Sequence, residues 1–283
     1  MSERVVPVIS LKDFEERTEE ITQQLVEAAE TAGFLTLVDH GITIEEIEKQ
    51  FAISKAFFDL PPEVKGKTPH SNVTNNGWEP NYDRALECMI KRNLSGFNLG
   101  PSGPVIKMSQ DFERLQLISW ENVQQFRTSY PDSLTQMRLI HYPPSENAAG
   151  TWRAGSHTDI GCVTLLFQRD GEDGLEICPG RESHTSFAQG DVFSPLPAKT
   201  GQIVVNIGDM LMAWSDDRLK STFHRVRAMD VGKSPSRYSI AYFNQGRKNF
   251  IMQGPLKKYP AKTVEEWFKE SVERNFSQPP TAA

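Results

Sequence analysis

The feature that most constrains the fold is a series of short β-rich segments that fills the second half of the chain. Turns rich in Gly, Pro, Asp and Ser separate these segments, and no long helical pattern lies between them. Parallel strands need long crossover connections, usually helices, so this pattern favours a double-sheet jelly roll over a parallel α/β sheet. The predicted strands are 137–142, 162–168, 175–178, 202–207, 210–214, 224–227 and 238–243.

The first half of the chain has a different pattern, in which helical periodicity dominates. We predict one domain over 1–283 that is mainly β with flanking helices, with a double-stranded β-helix (jelly-roll) core over 137–245. A mostly helical region over 1–130 precedes this core, and a C-terminal segment over 246–283 follows it. Within these regions the patterns predict strands at 5–9 and 34–38, helices at 15–32, 43–59, 110–127 and 263–275, and irregular structure over 65–103 at the edge of a site.

Composition excludes several classes of function. The 31 Lys and Arg against 37 Asp and Glu give a charge of -6 without a basic block, which argues against nucleic-acid binding. No apolar stretch approaches the ~18 residues of a membrane span, and the first residues lack the order of a signal peptide. Cys88, Cys162 and Cys178 are too widely spaced for a CxxC zinc site or a disulfide framework. We therefore predict a cytoplasmic protein with ordinary buried thiols and no nucleic-acid or membrane partner.

One tripeptide carries a candidate metal site. His157 and Asp159 lie at i and i+2, so on an extended strand both side chains point to the same face. His224, in a second strand-like segment, offers a third ligand. Two histidines and one carboxylate can occupy one face of an octahedral Fe(II) and leave three positions open for O2 and a chelating substrate. Taken alone, a His-x-Asp tripeptide is more often a hydrogen-bonded surface feature.

A second pair of side chains strengthens this interpretation. Arg237 and Ser239 also alternate onto one face, 13 positions beyond His224 (237 minus 224). Arginine offers a planar, two-pronged donor for a carboxylate, and serine adds a hydroxyl. A dicarboxylate that chelates a metal at one end needs such an anchor at the other. An isolated arginine would instead be a solvated surface residue.

Ordered motifs along most of the chain resemble the isopenicillin N synthase-like branch of Fe(II)/2-oxoglutarate-dependent dioxygenases. The resemblance begins in the N-terminal region and continues through the predicted strands in the order of that family. The matching segments are 5–11, 32–42, 137–144, 157–166, 174–177, 204–211 and 221–226.

The resemblance implies a role for each candidate residue. It assigns Fe(II) to His157, Asp159 and His224, and the distal carboxylate of 2-oxoglutarate to Arg237 and Ser239. The implied enzyme uses O2, converts 2-oxoglutarate to succinate and CO2, and can take ascorbate as a reductant.

Four further assignments from the resemblance are less specific. Tyr142 stands where a family tyrosine often contacts the co-substrate, and Phe243 where related enzymes line the substrate pocket, although either can be a plain core residue. Ile140 replaces an asparagine of many plant members, which removes a polar contact. Residues 206–209 are expected to be structural, since Gly and Asp suit a tight turn between core strands.

The expected reaction is hydroxylation or desaturation of a small, apolar metabolite, as in secondary metabolism. Two alternatives remain open. One is an Fe(II) oxidase of the same fold that uses no 2-oxoglutarate, because such enzymes also keep an Arg-x-Ser pair. The other is a non-catalytic jelly-roll protein that binds a metal or a ligand.

Overall fold

Helices form much of the N-terminal part and the C-terminal end of the described structure. The computed structural model describes residues 6–69, 77–79, 95–99, 135–147, 152–182, 192–228 and 232–277. Within these residues the helices are α1 (Thr18–Thr31), α2 (Ile44–Phe58), α3 (Pro62–Lys65), α4 (Asp209–Trp214) and α5 (Val264–Ser277). The helix predicted over 110–127 lies outside the described residues.

Two larger sheets and two small ones make up the β structure of the described residues. The larger sheet has eight strands in the order β1-β2-β11-β8-β14-β5-β4-β3, and the smaller has four in the order β10-β9-β12-β7. The strands are β1 (Val8–Ser10), β2 (Phe34–Val38), β3 (Gly77–Glu79), β4 (Ser95–Leu99), β5 (Gln136–Tyr142), β6 (Ser145–Asn147), β7 (Trp152–His157), β8 (Val163–Phe167), β9 (Leu175–Glu182), β10 (Ser194–Pro195), β11 (Ile203–Ile207), β12 (Thr222–Arg227), β13 (Gly232–Ser234), β14 (Arg237–Asn244), β15 (Ile251–Met252) and β16 (Lys262–Thr263).

Helices α1 and α2 cover one face of the eight-stranded sheet. Their apolar residues join those of the central strands in the largest hydrophobic cluster of the described structure, where burial of apolar surface is the main stabilising contribution. α2 begins at a capping box in which Thr43 and Glu46 bind each other's backbone N–H groups. Fully buried members of the cluster are Ile21, Ile47, Phe51, Leu139, Ile203 and Ile240.

The opposite face of the eight-stranded sheet packs against the four-stranded sheet. Phe34 and Val204 of the larger sheet contact Leu175 and Ile177 of the smaller one. A second cluster joins Val226 of β12 to residues of β5 and β14. The interior between the two sheets is therefore lined by apolar side chains from both, and the predicted mainly β fold with flanking helices is confirmed.

Two predictions about secondary structure are wrong. Residues 210–214 form most of helix α4 instead of a strand, because the backbone N–H groups of Asp209 and Met210 bind the carbonyls of Asp159 and Ile160, which starts a helix after Gly208. The segment 65–103 contains strands β3 and β4. These extend the larger sheet beyond β5, so the segment is not entirely irregular.

The C-terminal helix α5 is an amphipathic helix, as its pattern predicts. Val264 and Trp267 of α5 pack with Cys162, Met210 and Met252. The indole Nε1 of Trp267 donates to the carbonyl of Ile160 at 3.4 Å, which ties the helix to the loop after β7. Among the residues that the structure describes, no helix has the length and apolar character needed to cross a membrane.

Candidate active site

Three side chains converge where the end of β7 and the loop after it lie beside the neighbouring strand β12. His157 ends β7, Asp159 follows in the loop, and His224 lies in the middle of β12 directly opposite His157 in the antiparallel pairing. One ligand atom from each of the three lies within 4.8 Å of the others. Asp159 Oδ1 is 3.9 Å from His157 Nε2 and 3.8 Å from His224 Nε2. The structure thus brings together the three residues that the sequence pattern singled out.

Backbone carbonyls orient both imidazole rings. The Nδ1 atom of His157 lies 2.7 Å from the carbonyl of Gly155, and Nδ1 of His224 lies 3.2 Å from that of Thr222. A neutral imidazole that donates from Nδ1 has its lone pair on Nε2. Both Nε2 atoms face Asp159, so the rings are held in the tautomer and orientation that a metal ion requires.

The two carboxylate oxygens of Asp159 have different surroundings. Oδ2 accepts hydrogen bonds from Thr164 Oγ1 at 2.5 Å and from Asn206 Nδ2 at 2.8 Å, while Oδ1 faces the two histidines. Burial alone would raise the pKa of Asp159, but the charge that His224 and His157 carry when they are protonated, together with the two hydrogen bonds, lowers it. The carboxylate is therefore held ionised, with one oxygen directed into the cluster.

Asp209 links the two segments that carry these ligands. Its backbone N–H donates to the carbonyl of Asp159 at 2.7 Å. Its buried carboxylate accepts from Thr158 Oγ1 at 3.2 Å and from Ser221 Oγ at 2.6 Å, just before β12. A Cβ atom on the preceding Gly208 would lie 2.2 Å from the carbonyl of Gly161, so only glycine permits this close packing.

The donor set suits a divalent first-row metal. Two neutral imidazoles and one carboxylate on one side of an ion form the facial triad of non-haem Fe(II) oxygenases. The side chain of His157 is 42% exposed, whereas that of His224 is 10% exposed. The cluster is therefore more exposed at His157 than at His224.

Arg237 and Ser239 lie at the start of β14 and are both buried. Arg237 donates from Nε to the carbonyl of Glu172 at 2.8 Å and from Nη2 to Gln168 Oε1 at 2.7 Å. Its Nη1 atom is buried and has no hydrogen-bond partner in the described part of the chain. A guanidinium fixed on two edges with one nitrogen unused is suited to bind an anion.

Tyr142 and Phe243 lie beside this arginine. Tyr142 pairs with Arg237 across β5 and β14, and the guanidinium lies 4.9 Å from the centre of the tyrosine ring. Phe243 is partly buried and packs on the cluster that contains Ile140 and Val226. Both residues line the apolar region between the sheets, and Ile140 contributes no polar group there.

Sequence reasoning missed several residues that the structure places at or near the site. Thr164 and Asn206 hold Asp159, although the segment 206–209 was predicted to be only a structural turn between strands. Asn206 could have been suspected as a polar residue inside an otherwise apolar strand. Arg153 of β7, buried near Arg237, gave no such indication.

Comparisons with known proteins agree with this geometry. A family model described as "2OG-Fe(II) oxygenase superfamily" matches residues 133–246, and one described as "non-haem dioxygenase in morphine synthesis N-terminal" matches residues 6–116.

Two curated relatives are among the similar sequences. A proline hydroxylase, buaE, of Petromyces alliaceus is 31% identical, with 81% of this chain and 82% of the relative covered. A bi-functional coumaroyl CoA and feruloyl CoA ortho-hydroxylase of Ipomoea batatas is 32% identical, with 90% and 74% covered.

Solved structures share the fold. A full-length protein of Neurospora crassa, crystallised in complex with alpha-KG, superposes with a TM-score of 0.75 over 98% of both chains at 24% identity. The dioxygenase for auxin oxidation of rice gives 0.72 at 21% identity, with 95% of this chain and 96% of that chain covered. The predicted jelly-roll core is thereby confirmed.

Proposed function

The chain belongs to the 2OG-Fe(II) oxygenase superfamily and is an Fe(II)- and 2-oxoglutarate-dependent dioxygenase, and on this premise we propose a role for each residue of its site. His157, Asp159 and His224 bind Fe(II) through the two Nε2 atoms and Oδ1 of the carboxylate. The observation that carries this assignment is that the two carboxylate oxygens of Asp159 have different partners. Its Oδ2 atom is occupied by Thr164 and Asn206, which leaves Oδ1 to the metal.

The co-substrate anchor is Arg237 with Ser239. The unused Nη1 donor of Arg237 and the buried hydroxyl of Ser239 suit the distal carboxylate of 2-oxoglutarate. Tyr142 packs against the guanidinium and helps to fix its position. A carboxylate bound there forms charge-assisted hydrogen bonds in surroundings of low dielectric, where such bonds are strong.

When bound, Fe(II) and 2-oxoglutarate supply the oxidising chemistry, in which O2 is consumed, succinate and CO2 are released and a hydrogen atom is removed from the substrate. The residues of this chain position the reacting groups. The carbonyls of Gly155 and Thr222 hold the two histidine rings, and Asp209 keeps the loop after β7 in register with β12. Fixed ligands lower the reorganisation that the reaction would otherwise require.

We propose that the substrate is a small, largely apolar metabolite. Phe243, Leu166 and Val226 provide an apolar wall beside the anchor, and such a wall favours burial of a carbon skeleton. The relatives named above are a proline hydroxylase and an ortho-hydroxylase of coumaroyl CoA and feruloyl CoA, so they differ in substrate. The apolar lining is therefore the argument for the substrate class, with hydroxylation or desaturation as the outcome.

Metabolite profiling tests this proposal. The Fe(II)-loaded enzyme is incubated with a metabolite extract in the presence and absence of 2-oxoglutarate, and mass spectrometry identifies compounds that gain one oxygen atom or lose two hydrogens. We expect an apolar compound to change only with 2-oxoglutarate and only with the intact enzyme. The same change with Asp159→Ala, or a set of products that is entirely charged and polar, would contradict the proposal.

A further inference from the structure

Arg153 is a buried arginine that the proposed roles do not use. It lies on β7, the strand that ends at His157, where the pairing with β12 is irregular. Val226 lies opposite Ala154 and Arg227 lies opposite Trp152, so one step along β12 spans two steps along β7. Arg153 is the extra residue of this β-bulge. Bulges redirect side chains and occur often beside active sites.

The bulge directs the Arg153 side chain toward the start of β14. Its Nη2 atom donates to the carbonyl of Pro235 at 2.5 Å, two residues before Arg237. The residue is only 5% exposed, and Arg237 is 2% exposed. Burial and then the positive charge of Arg237 lower the pKa of Arg153, whereas Tyr142 raises it. The two guanidiniums therefore approach each other from opposite sheets.

The carboxylate of Glu172, which lies near this pair, already has other partners. Glu172 acts on Arg153, but one of its carboxylate oxygens binds the guanidinium of Arg169 and the other accepts from the backbone N–H of Tyr238. Two buried like charges repel, and buried charges are stable only when they are paired. Arg153 Nε and Arg237 Nη1 are both buried N–H donors without a partner in the described residues. Together they suit one carboxylate.

We propose that Arg153 and Arg237 together bind the distal carboxylate of 2-oxoglutarate, so that Arg153 helps the enzyme select a dicarboxylate over a monocarboxylate 2-oxoacid. This inference rests on the proposed function, because Arg237 is the first half of the anchor. Arg153 adds a second half to the anchor, because it lies on β7 of the smaller sheet, the strand that carries His157. One guanidinium therefore comes from each sheet, and both meet the same end of the co-substrate.

Binding of two ligands that differ only at the distal group tests this inference. The dissociation constants of 2-oxoglutarate and of 2-oxopentanoate, in which a methyl group replaces the distal carboxylate, are measured by anaerobic calorimetric titration of the Fe(II)-loaded protein. Arg153→Met should weaken binding of 2-oxoglutarate on the order of tenfold, as expected for loss of a hydrogen bond to a charged group. Binding of 2-oxopentanoate should change by less than about twofold, because it has no charge for Arg153 to bind.

The control variant is Arg227→Met, which removes a positive charge from an exposed position on the neighbouring strand β12. It should leave both dissociation constants unchanged. An equal loss for both ligands in Arg153→Met, or an unchanged constant for 2-oxoglutarate, would overturn the inference. If circular dichroism shows that Arg153→Met does not fold, Arg153→Gln decides in the same way, because glutamine keeps a polar side chain but has no positive charge.

The same titrations separate this inference from the proposed function. A wild-type protein that does not prefer 2-oxoglutarate, or Arg237→Met with an intact preference, contradicts the proposed anchor itself. Loss of the preference in Arg237→Met together with its full retention in Arg153→Met contradicts the role of Arg153 alone.

Discussion

Asn206 donates a hydrogen bond from its side-chain amide to Oδ2 of Asp159 at 2.8 Å, and this contact joins strand β11 to the loop that follows β7. Because Oδ2 is held in this way, the rotation of the carboxylate is fixed and Oδ1 faces the two histidines. An amide that is buried in an apolar strand is costly unless it is hydrogen-bonded, so its position here is explained by its partner.

The first prediction concerns this contact. Asn206→Leu keeps the branched shape of the side chain and its number of heavy atoms but removes the donor, so the carboxylate of Asp159 should rotate more freely. Loss of a partner that orients a metal ligand weakens metal binding by about 10- to 100-fold. A competition assay with a coloured chelator measures the Fe(II) affinity. Gln202→Ala, which removes an amide just before the same strand, is the control, and equal affinities for the two variants would refute the role of Asn206.

The second prediction concerns Asp209 and Ser221, whose side chains are joined by a 2.6 Å hydrogen bond. Ser221→Ala should lower the free energy of unfolding by about 1 kcal/mol, and Asp209→Ala by about 2 to 3 kcal/mol, because the latter leaves two hydroxyl donors unpaired. The double variant should lose less than the sum of the two single losses. Urea denaturation of the four proteins supplies the cycle. Strict additivity would show that the two side chains do not act together.

The third prediction concerns Arg237. Arg237→Met should raise the KM for 2-oxoglutarate by at least about tenfold, since charge-assisted hydrogen bonds to the distal carboxylate are lost. Fe(II) affinity should stay within about twofold, because the guanidinium binds Gln168 and the carbonyl of Glu172 and does not contact the histidines. Ser239→Ala should cause a smaller rise in KM. An unchanged KM in both variants would show that Arg237 and Ser239 do not bind 2-oxoglutarate.

The fourth prediction concerns pH and His141. Burial, and then the positive charge of Lys65, lower the pKa of this histidine from 6.5 to about 4. As the pH falls, His141 takes up a proton in the unfolded chain before it does so in the folded protein. The free energy of unfolding therefore keeps its full value above about pH 6.5 and decreases as the pH falls toward 4.

The loss is limited because His141 is only partly buried. We expect the free energy of unfolding to fall by about 1 to 2 kcal/mol over this range through His141. His141→Phe and His141→Gln should both show a shallower pH dependence than the wild type, despite different stabilities at pH 7. Denaturation at several pH values measures the slope, and an unaltered slope in both variants would exclude His141 as its source.

The sequence predicted the three proposed metal ligands more completely than the residues that hold them in place. Local sequence pattern predicts that His157 and Asp159 lie close together and that His224 lies on a strand. The structure shows both features. Residues 210–214 are apolar and suit either a strand or a buried helix, and the backbone hydrogen bonds that decide between the two come from the loop at 159–161, which is distant in the sequence.

The supporting residues depend on contacts between distant segments in the same way. Asn206 meets Asp159 only because β11 pairs with β8, which brings Thr164 opposite it. Arg153, which we propose to be part of the site, lies at an irregularity in the pairing of β7 and β12. Strand alternation in a single sequence cannot reveal a bulge, since the extra residue is defined by its partner strand.

The most direct test of the central claim is a visible absorption spectrum of the protein with Fe(II) and 2-oxoglutarate in the absence of O2. We predict a weak charge-transfer band in the wild-type protein and in Asp170→Ala, which alters an exposed aspartate. We predict no band in Asp159→Ala, with circular dichroism showing that the variant is folded. A wild-type protein without the band at saturating Fe(II) and 2-oxoglutarate, or a band of equal intensity in Asp159→Ala, would contradict the assignment of the iron site.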